Sequence, residues 1–378
     1  MIVPQSCDLY DEYVQVRTDL ALTPSEVEEI STEGQGNCSK FGIHKSFGFL
    51  HTLYEDGHAA FVSNVGSLLE PMTRSTYRNG EAKRCFNLGS HSDQSIAAQT
   101  LRCQDRGTAA RGFGGRMGDA LFENSFATFS WSTFSRMDVW AEGMLIKKRI
   151  AQASAESGFV EYEAWREVIA NISGQRHENV YANAFASAFM SSIDSIESLS
   201  HLEGELPGYP IDSRLAKSFY HVAKIMKSRD NRGAEREFFY VRDRGYDMHG
   251  KMKSGLASSF RTVNSALEGF VAELKAQENW ENVVLMTESE FGRTLNSNGG
   301  GSDHGYAGNH FIIGGALNGG RIFNKYPETL AAGSSHDLGR GRLVPEFPWE
   351  SMAVPIATWM GASSEQLTTV FPNFEKFT

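Results

Sequence analysis

Apolar residues follow two patterns along this chain: short continuous runs, and longer stretches with steps of three and four residues. Residues 238–241 and 283–286 are short runs, each long enough for one buried strand. Between them, residues 256–274 place apolar side chains on one face of a helix. A strand, a crossover helix and a second strand of this length predict a βαβ unit with parallel strands.

The same patterns predict elements along the rest of the chain. Strands are predicted at 59–65 and 311–313, and a hairpin turn at 319–322. Residues 125–235 are helical in pattern and are expected to pack against the sheet or form a small cap. No linker separates this region, so residues 1–378 are expected to form a single α/β domain. The predicted helices are 47–57, 159–172, 181–199, 215–226 and 352–360.

Carboxylates and imidazoles follow the predicted strands. Asp247 and His249 come after the first strand of the βαβ unit, and Glu290 comes after the second. A loop rich in Asn, Ser and Gly then ends on Asp303 and His304. Ligand sites of open α/β sheets lie at the carboxyl ends of the strands. Because these side chains are suitable ligands for a divalent metal, the sequence predicts a metal site there.

Two polar clusters have alternative interpretations. Glu288 and Glu290 are also explained as a charge pair with Arg293 at the start of a helix, where acidic residues are favourable. If residues 90–94 are extended, His91 and Asp93 point to one side. They then form either one wall of the site or a satisfied buried hydrogen bond.

Composition narrows the possible partners. The 378 residues carry a formal net charge of -10, which argues against nucleic acid or an anionic membrane surface. No apolar run approaches the roughly 18 residues of a membrane span. No signal peptide is visible at the first residue, and the compartment is not predicted. The four cysteines form no C-x-x-C pair, and their spacing leaves disulfide pairing open.

Several motifs resemble a known family, domain of unknown function 1501 (DUF1501), in the alkaline phosphatase and sulfatase superfamily. The motifs at 289–294 and 302–305 are together highly specific, and all the motifs occur in the order of the family over nearly the whole chain. They are Ser90-His91-Ser92-Asp93-Gln94, Tyr246-Asp247-Met248-His249, Ser289-Glu290-Phe291-Gly292-Arg293-Thr294, Ser302-Asp303-His304-Gly305 and Leu338-Gly339-Arg340-Gly341-Arg342.

The resemblance implies a three-layer αβα sandwich with a mostly parallel central sheet and a metal-dependent hydrolase of phosphate or sulfate esters. The substrate would be a small anionic ester, and the cation zinc, calcium, magnesium or manganese. Thr73 matches the expected nucleophile best, with Ser75 and Thr76 behind it, although the proline and hydroxyl residues there suit a helix cap equally well. Arg293 would bind two oxygens of the anion through its guanidinium. The implied metal ligands are Asp247, His249, Glu290, Asp303 and His304.

Two departures from the family pattern accompany the resemblance. Relatives begin with a strand that ends in Gly-Gly-x-Asp, whose Asp is expected to bind metal. This chain begins just after that point, so the N-terminal strand is expected to be missing. Glu290 also stands where the superfamily has an Asp. The alternative function is therefore an inactive member that binds an anion, a glycan or a protein partner, and the oligomeric state is not predicted.

Overall fold

The computed structural model describes residues 2–104, 111–133, 138–151, 162–200 and 205–377. The α-helices are α1 Asp8–Arg17, α2 Gly48–Glu55, α3 Arg74–Asn79, α4 His91–Thr100, α5 Phe113–Glu123, α6 Tyr162–Ser173, α7 Val180–Ser200, α8 Arg214–Lys227, α9 Met252–Ala276, α10 Glu350–Met360 and α11 Ser364–Val370. The strands are β1 Ile2–Gln5, β2 Val27–Ser31, β3 Lys40–His44, β4 Ala59–Gly66, β5 Thr128–Ser132, β6 Lys148–Ile150, β7 Arg236–Tyr240, β8 Val284–Met286, β9 Gly308–Gly314, β10 Arg321–Phe323 and β11 Phe347–Pro348.

These elements confirm the α/β class and most of the predicted helices and strands. The predicted helices correspond to α2, α6, α7, α8, α9 and α10. Residues 159–161, at the start of the predicted helix 159–172, lie outside the described residues. The region 125–235 is not helical throughout, because it also contributes β5 and β6.

The largest sheet is mixed, so the predicted mostly parallel central sheet is not observed. Its order is β10-β4-β9-β8, with β11 also paired to β4. β4 runs parallel to β10 and β11, whereas β9 runs antiparallel to both of its neighbours. The chain passes from β8 to β9 through residues 287–307 without a helix. A connection without a crossover helix suits antiparallel strands, which explains why β9 reverses the direction of the sheet.

The elements of the predicted βαβ unit exist, but its two strands belong to different sheets. β7 pairs in parallel with β5, which also pairs in parallel with β6. β8 pairs with β9 in the mixed sheet, and no ladder among the described strands joins β7 to β8. A third, antiparallel sheet contains β1, β3 and β2.

The predicted hairpin at 319–322 is also wrong. β9 and β10 lie on opposite sides of β4 and do not pair with each other. Gly319 and Gly320 cross the start of β4, where their amides donate hydrogen bonds of 2.8 Å to the carbonyls of Gly57 and Ala59. A Cβ on Gly319 would lie 2.4 Å from the Ala59 carbonyl oxygen, so this close approach requires glycine.

Apolar clusters cover both faces of the mixed sheet. Alternate residues of β9 point to opposite faces, as a strand requires. Phe311 and Ile313 pack with residues of α2, α8 and α9, whereas Ile312 packs with residues of α5, α10 and α11. The sheet therefore lies between two helical layers.

Two disulfides answer the question that cysteine spacing left open. Cys7 bonds to Cys38, and Cys85 bonds to Cys103. The second bond closes a loop that contains the turn before α4, and it therefore restrains the position at which that helix begins. Within the described residues, no helix is long and apolar enough to cross a lipid bilayer.

Candidate functional site

Three segments that are distant in sequence meet at the carboxyl ends of β7 and β8. The loop after β7 supplies Asp247 and His249, and the loop between β8 and β9 supplies Glu290 and His304. The N-terminus of α4 supplies His91, which contacts both Asp247 and Glu290. Asp303 joins this cluster through a hydrogen bond to His249. The structure therefore brings together all the side chains that the resemblance implied as metal ligands.

Asp247 is the centre of this cluster. Its Oδ1 lies 2.9 Å from His249 Nε2 and 3.2 Å from His304 Nε2, and it also accepts a hydrogen bond from Arg293 Nη1. Its Oδ2 lies 3.1 Å from His91 Nε2. Partial burial favours the protonated acid, but the hydrogen bond and charge of Arg293 and the two nearby imidazoles outweigh it, and the pKa of Asp247 falls to about 2.

In two of the imidazoles, the nitrogen that points away from Asp247, Nδ1, is held by a hydrogen-bond acceptor. His91 Nδ1 lies 2.9 Å from Glu290 Oε1, and His304 Nδ1 lies 2.9 Å from the carbonyl oxygen of Gly89. Because a carboxylate and a carbonyl only accept, each Nδ1 donates a hydrogen, and each Nε2 is left facing the Asp247 carboxylate, where a second proton or a cation can lie between the two atoms. A second hydrogen bond that fixes the tautomer of a histidine is typical of metal ligands.

The third imidazole is held in the same way. His249 Nδ1 lies 3.2 Å from Asp303 Oδ1, which also accepts a hydrogen bond of 3.0 Å from Asn298. The other carboxylate oxygen of Asp303 is paired with Arg340. The hydrogen bond from Asn298, followed by those from His249 and Arg340, lowers the pKa of Asp303. Asp303 is therefore an ionised partner that orients His249.

The geometry of His91, Asp247 and His304 fits a divalent cation. One ligand atom of each lies within 4.8 Å of the others. Separations of roughly 3–3.5 Å between ligand atoms suit a tetrahedral centre with bonds of about 2.0–2.1 Å. Asp247 contacts His91 through Oδ2 at 3.1 Å and His304 through Oδ1 at 3.2 Å, so each distance involves a different carboxylate oxygen. Two imidazoles and one carboxylate suit zinc better than calcium or magnesium, which prefer oxygen ligands throughout.

The charge of His91 depends on its carboxylate partners. The hydrogen bond to Glu290 raises the pKa of His91, burial opposes the rise, and the contact with Asp247 adds to it. The ring also packs against Phe291 and His304, with ring centroids 5.0 and 4.5 Å apart. Phe291 stacks on His304 at 4.4 Å, so an apolar ring supports both candidate ligands.

The guanidinium of Arg293 forms hydrogen bonds with the loop that carries His304 and with Asp247. Its guanidinium donates to Asp247 and to both the carbonyl and the hydroxyl oxygen of Ser302. Its backbone forms an antiparallel bridge with His304. A Cβ on Gly305 would lie 2.5 Å from the Arg293 carbonyl carbon, so the two backbone segments touch directly. The side chain therefore positions Asp247 against the loop that carries His304.

Thr73 does not contact the cluster in the described structure. Its side chain is exposed and accepts a hydrogen bond of 3.3 Å from the amide of Thr76 at the start of α3. The backbone amide of Thr73 in turn donates a hydrogen bond of 3.0 Å to the Thr76 hydroxyl oxygen. This arrangement is a helix cap, the role that Ser and Thr commonly have at this position.

Two sequence interpretations are corrected. Residues 91–94 are not extended, because α4 begins at His91 with Ser90 as its N-cap. The Ser90-x-x-Asp93 spacing is a helix-start signal that would have predicted this. The charge pair of Glu288 and Glu290 does not begin a helix, because a loop follows β8. Burial, with the nearby charge of Glu290, raises the pKa of Glu288 to about 8.

Comparison with known proteins gives few matches. The chain has no match among the curated proteins. A crystal structure of Ps i-CgsB in complex with k-i-k-neocarrahexaose is 10% identical, covering 85% of this chain and 69% of that chain, with a TM-score of 0.35. Another structure of Ps i-CgsB is 11% identical, covering 86% of this chain and 71% of that chain, with the same TM-score of 0.35. At this level of similarity, neither match assigns a fold or an activity.

One family match bears directly on the candidate site. The matched segment contains Asp247, His249, Glu290 and His304 but does not extend to His91. Membership of the alkaline phosphatase and sulfatase superfamily stays a prediction. Residues 194–340 match the family described as "Protein of unknown function (DUF1501)", which confirms that part of the predicted resemblance.

Proposed function

We propose that this protein is a metal-dependent hydrolase of phosphate or sulfate esters, with an alkaline phosphatase-like architecture and a cation held by His91, Asp247 and His304. The observation that carries the proposal is the orientation of the imidazoles. The Nδ1 atoms of His91 and His304 are each held by a hydrogen-bond acceptor, while their Nε2 atoms face Asp247 at 3.1 and 3.2 Å. Lone pairs directed at a carboxylate repel it unless a proton or a cation lies between them.

The surroundings suit an anionic substrate. A bound divalent cation lowers the pKa of a coordinated water and neutralises charge on an ester oxygen. Arg340 lies at the rim with an exposed guanidinium bonded to Asp303, and Arg342 donates to the carbonyl oxygen of His304 at 3.3 Å. Positive groups beside the cluster favour binding of a phosphate or sulfate at this edge of the sheet.

A binding protein without catalysis is the second candidate. It is favoured by the position of Thr73, whose hydroxyl takes part in the cap of α3 rather than in the cluster. Under this alternative the cation and the arginines hold an anion or a glycan without cleaving it. Turnover of an ester therefore distinguishes the two candidates, whereas metal binding is expected of both.

The test begins with the purified protein stripped of metal by a chelator. Isothermal titration with zinc, manganese, magnesium and calcium measures stoichiometry and affinity. Hydrolysis of 4-nitrophenyl phosphate and 4-nitrophenyl sulfate is then measured with each metal. We expect one tightly bound zinc ion and metal-dependent release of 4-nitrophenol.

Two substitutions complete this experiment. Asp247→Asn removes the central anion while keeping the size of the side chain, and it should abolish zinc binding and turnover. His177→Gln alters an exposed histidine outside the cluster and should leave both unchanged. Zinc binding without turnover would support the binding protein. Equal zinc affinity of Asp247→Asn and the unaltered protein would exclude this cluster as the metal site.

A further inference from the structure

A large cavity lies between the edges of two strands. Its volume is about 1190 Å³, and β7 and β8 line it along their lengths. β7 is the last strand of one sheet and β8 is the last strand of another. Among the described strands, each therefore has a partner on one side only, and the free edges border the same space.

β7 and β8 lie in the same layer of the molecule. Phe239 and Leu285 pack against the cluster built by α8 and α9. Phe238 and Val284 pack against the opposite cluster, which contains residues of α5 and α10. Because both strands distribute their side chains between the same two clusters, the gap continues the plane of the sheet.

Most of the surface that lines the cavity is apolar, although charged residues such as Arg242 and Asp243 also line it. All three residues of β8 are only partly buried, despite helices on both faces. Four of the five residues of β7 are also partly buried. From the helices, the cavity is lined by Phe219, Val222, Phe260, Phe270, Met117 and Ile356. A buried apolar surface of this kind is suited to an apolar occupant.

The strand edges decide which apolar occupant fits. A lipid chain would cover the side chains but would leave the backbone N–H and C=O groups of both edges without hydrogen-bond partners. An extended peptide satisfies these groups on both sides and places alternate side chains in the two apolar clusters. Free strand edges are known sites of such strand addition.

We propose that the gap between β7 and β8 binds one extended apolar peptide strand, which pairs with both edges through its backbone. The bound strand joins the two sheets into one continuous layer. It enters alongside the cluster of Asp247 and Glu290, since both residues also line the cavity. This inference does not depend on the cation or on ester hydrolysis.

The probe is a capped, fluorescently labelled peptide, Lys-Ile-Val-Leu-Val-Ile-Lys, in which the lysines provide solubility. Its matched control has the same sequence with N-methyl groups on alternate residues, which removes N–H donors and keeps the apolar side chains. Fluorescence anisotropy measures binding of both peptides to the whole chain. We expect the N-methylated peptide to bind at least about 10-fold more weakly, because it loses several backbone hydrogen bonds.

Hydrogen exchange then locates the bound peptide. On binding, the amides of residues 236–240 and 284–286 should become more protected, while those of the edge strands β6 and β10 should not change. Equal affinity of the two peptides would show a merely apolar pocket and would overturn the proposal. Failure of the unmodified peptide to bind, or protection only at β6 or β10, would overturn it as well.

Discussion

His91 Nε2 lies 3.1 Å from Asp247 Oδ2, although the two residues are 156 positions apart. The contact joins the N-terminus of α4 to the loop after β7. Since the family match covers residues 194–340, one candidate ligand comes from outside the matched segment. The site therefore depends on how the N-terminal half of the chain packs against the segment that carries the other ligands.

Removal of His91 should weaken zinc binding strongly. Loss even of a group that only orients a ligand typically costs 10–100-fold in affinity, so we expect His91→Ala to cost at least about 100-fold. Isothermal titration with zinc measures the change, with His177→Ala as the matched control. A loss below about 10-fold would show that His91 is not a ligand.

The metal-free protein should show a pH dependence that originates from His91. Its pKa is raised by Glu290 in the folded state. The protonated ring therefore contributes stability that is fully present below the unfolded value of about 6.5 and is lost as pH rises through the folded pKa. Urea unfolding with a chelator should show His91→Gln to be less stable than the unaltered protein at pH 5–6. The difference should disappear at pH 9, and a difference that grows with pH would contradict this assignment.

Arg293 should contribute to stability through its several hydrogen bonds. Its side chain is mostly buried, with 19% of its surface exposed, and it contacts Asp247 and Ser302. Hydrogen bonds to charged groups contribute about 1.5–3 kcal/mol, so Arg293→Ala should lower the free energy of unfolding by about 2–3 kcal/mol. Arg293→Lys keeps the charge but loses the planar guanidinium with its several donors, and it should lower the free energy of unfolding by less than Arg293→Ala does. Equal stability of all three proteins in urea unfolding would exclude the positioning role.

The loop that carries His304 should tolerate no side chain at Gly301. A Cβ there would lie 2.3 Å from the His249 carbonyl carbon and 2.5 Å from the Gly250 nitrogen. Gly301→Ala should therefore separate the loop from the segment that carries His249. The substitution should lower the free energy of unfolding by about 1–3 kcal/mol and weaken zinc binding. Gly250→Ala is the matched control, because a Cβ at Gly250 meets no atom within 4 Å. Similar melting temperatures for the two variants would contradict the packing described.

The disulfide between Cys85 and Cys103 should support the position of α4. It spans 18 residues in sequence, and closure of a loop of this size contributes about 3 kcal/mol. The double substitution Cys85→Ser and Cys103→Ser should lower the free energy of unfolding by about 2–4 kcal/mol. It should also weaken zinc binding, because the loop between the cysteines carries His91. Unchanged zinc affinity at reduced stability would show that the bond is structural alone.

The predicted ligands share a feature that the sequence displays directly. Asp247 and Glu290 follow apolar runs that are strands, and residues after strand ends meet at a sheet edge. His91 lies at the start of a helix, whose N-cap is Ser90. Its nearness to Asp247 depends on long-range packing, which local patterns do not contain.

The sheet shows a similar division between local and long-range information. The apolar runs located β4, β7, β8 and β9, but they carry no information on strand direction or pairing. The direction of β9 was indicated only by the absence of helical periodicity in residues 287–307. Thr73 illustrates the converse, since the proline and hydroxyl residues before α3 predicted a cap as readily as a nucleophile.

A crystal soaked in zinc chloride, with data collected on both sides of the zinc absorption edge, tests the central claim most directly. We predict one strong anomalous peak within about 2.3 Å of His91 Nε2, an Asp247 carboxylate oxygen and His304 Nε2. A peak bound by other residues, or the absence of any peak at these three side chains, would contradict the proposed metal site.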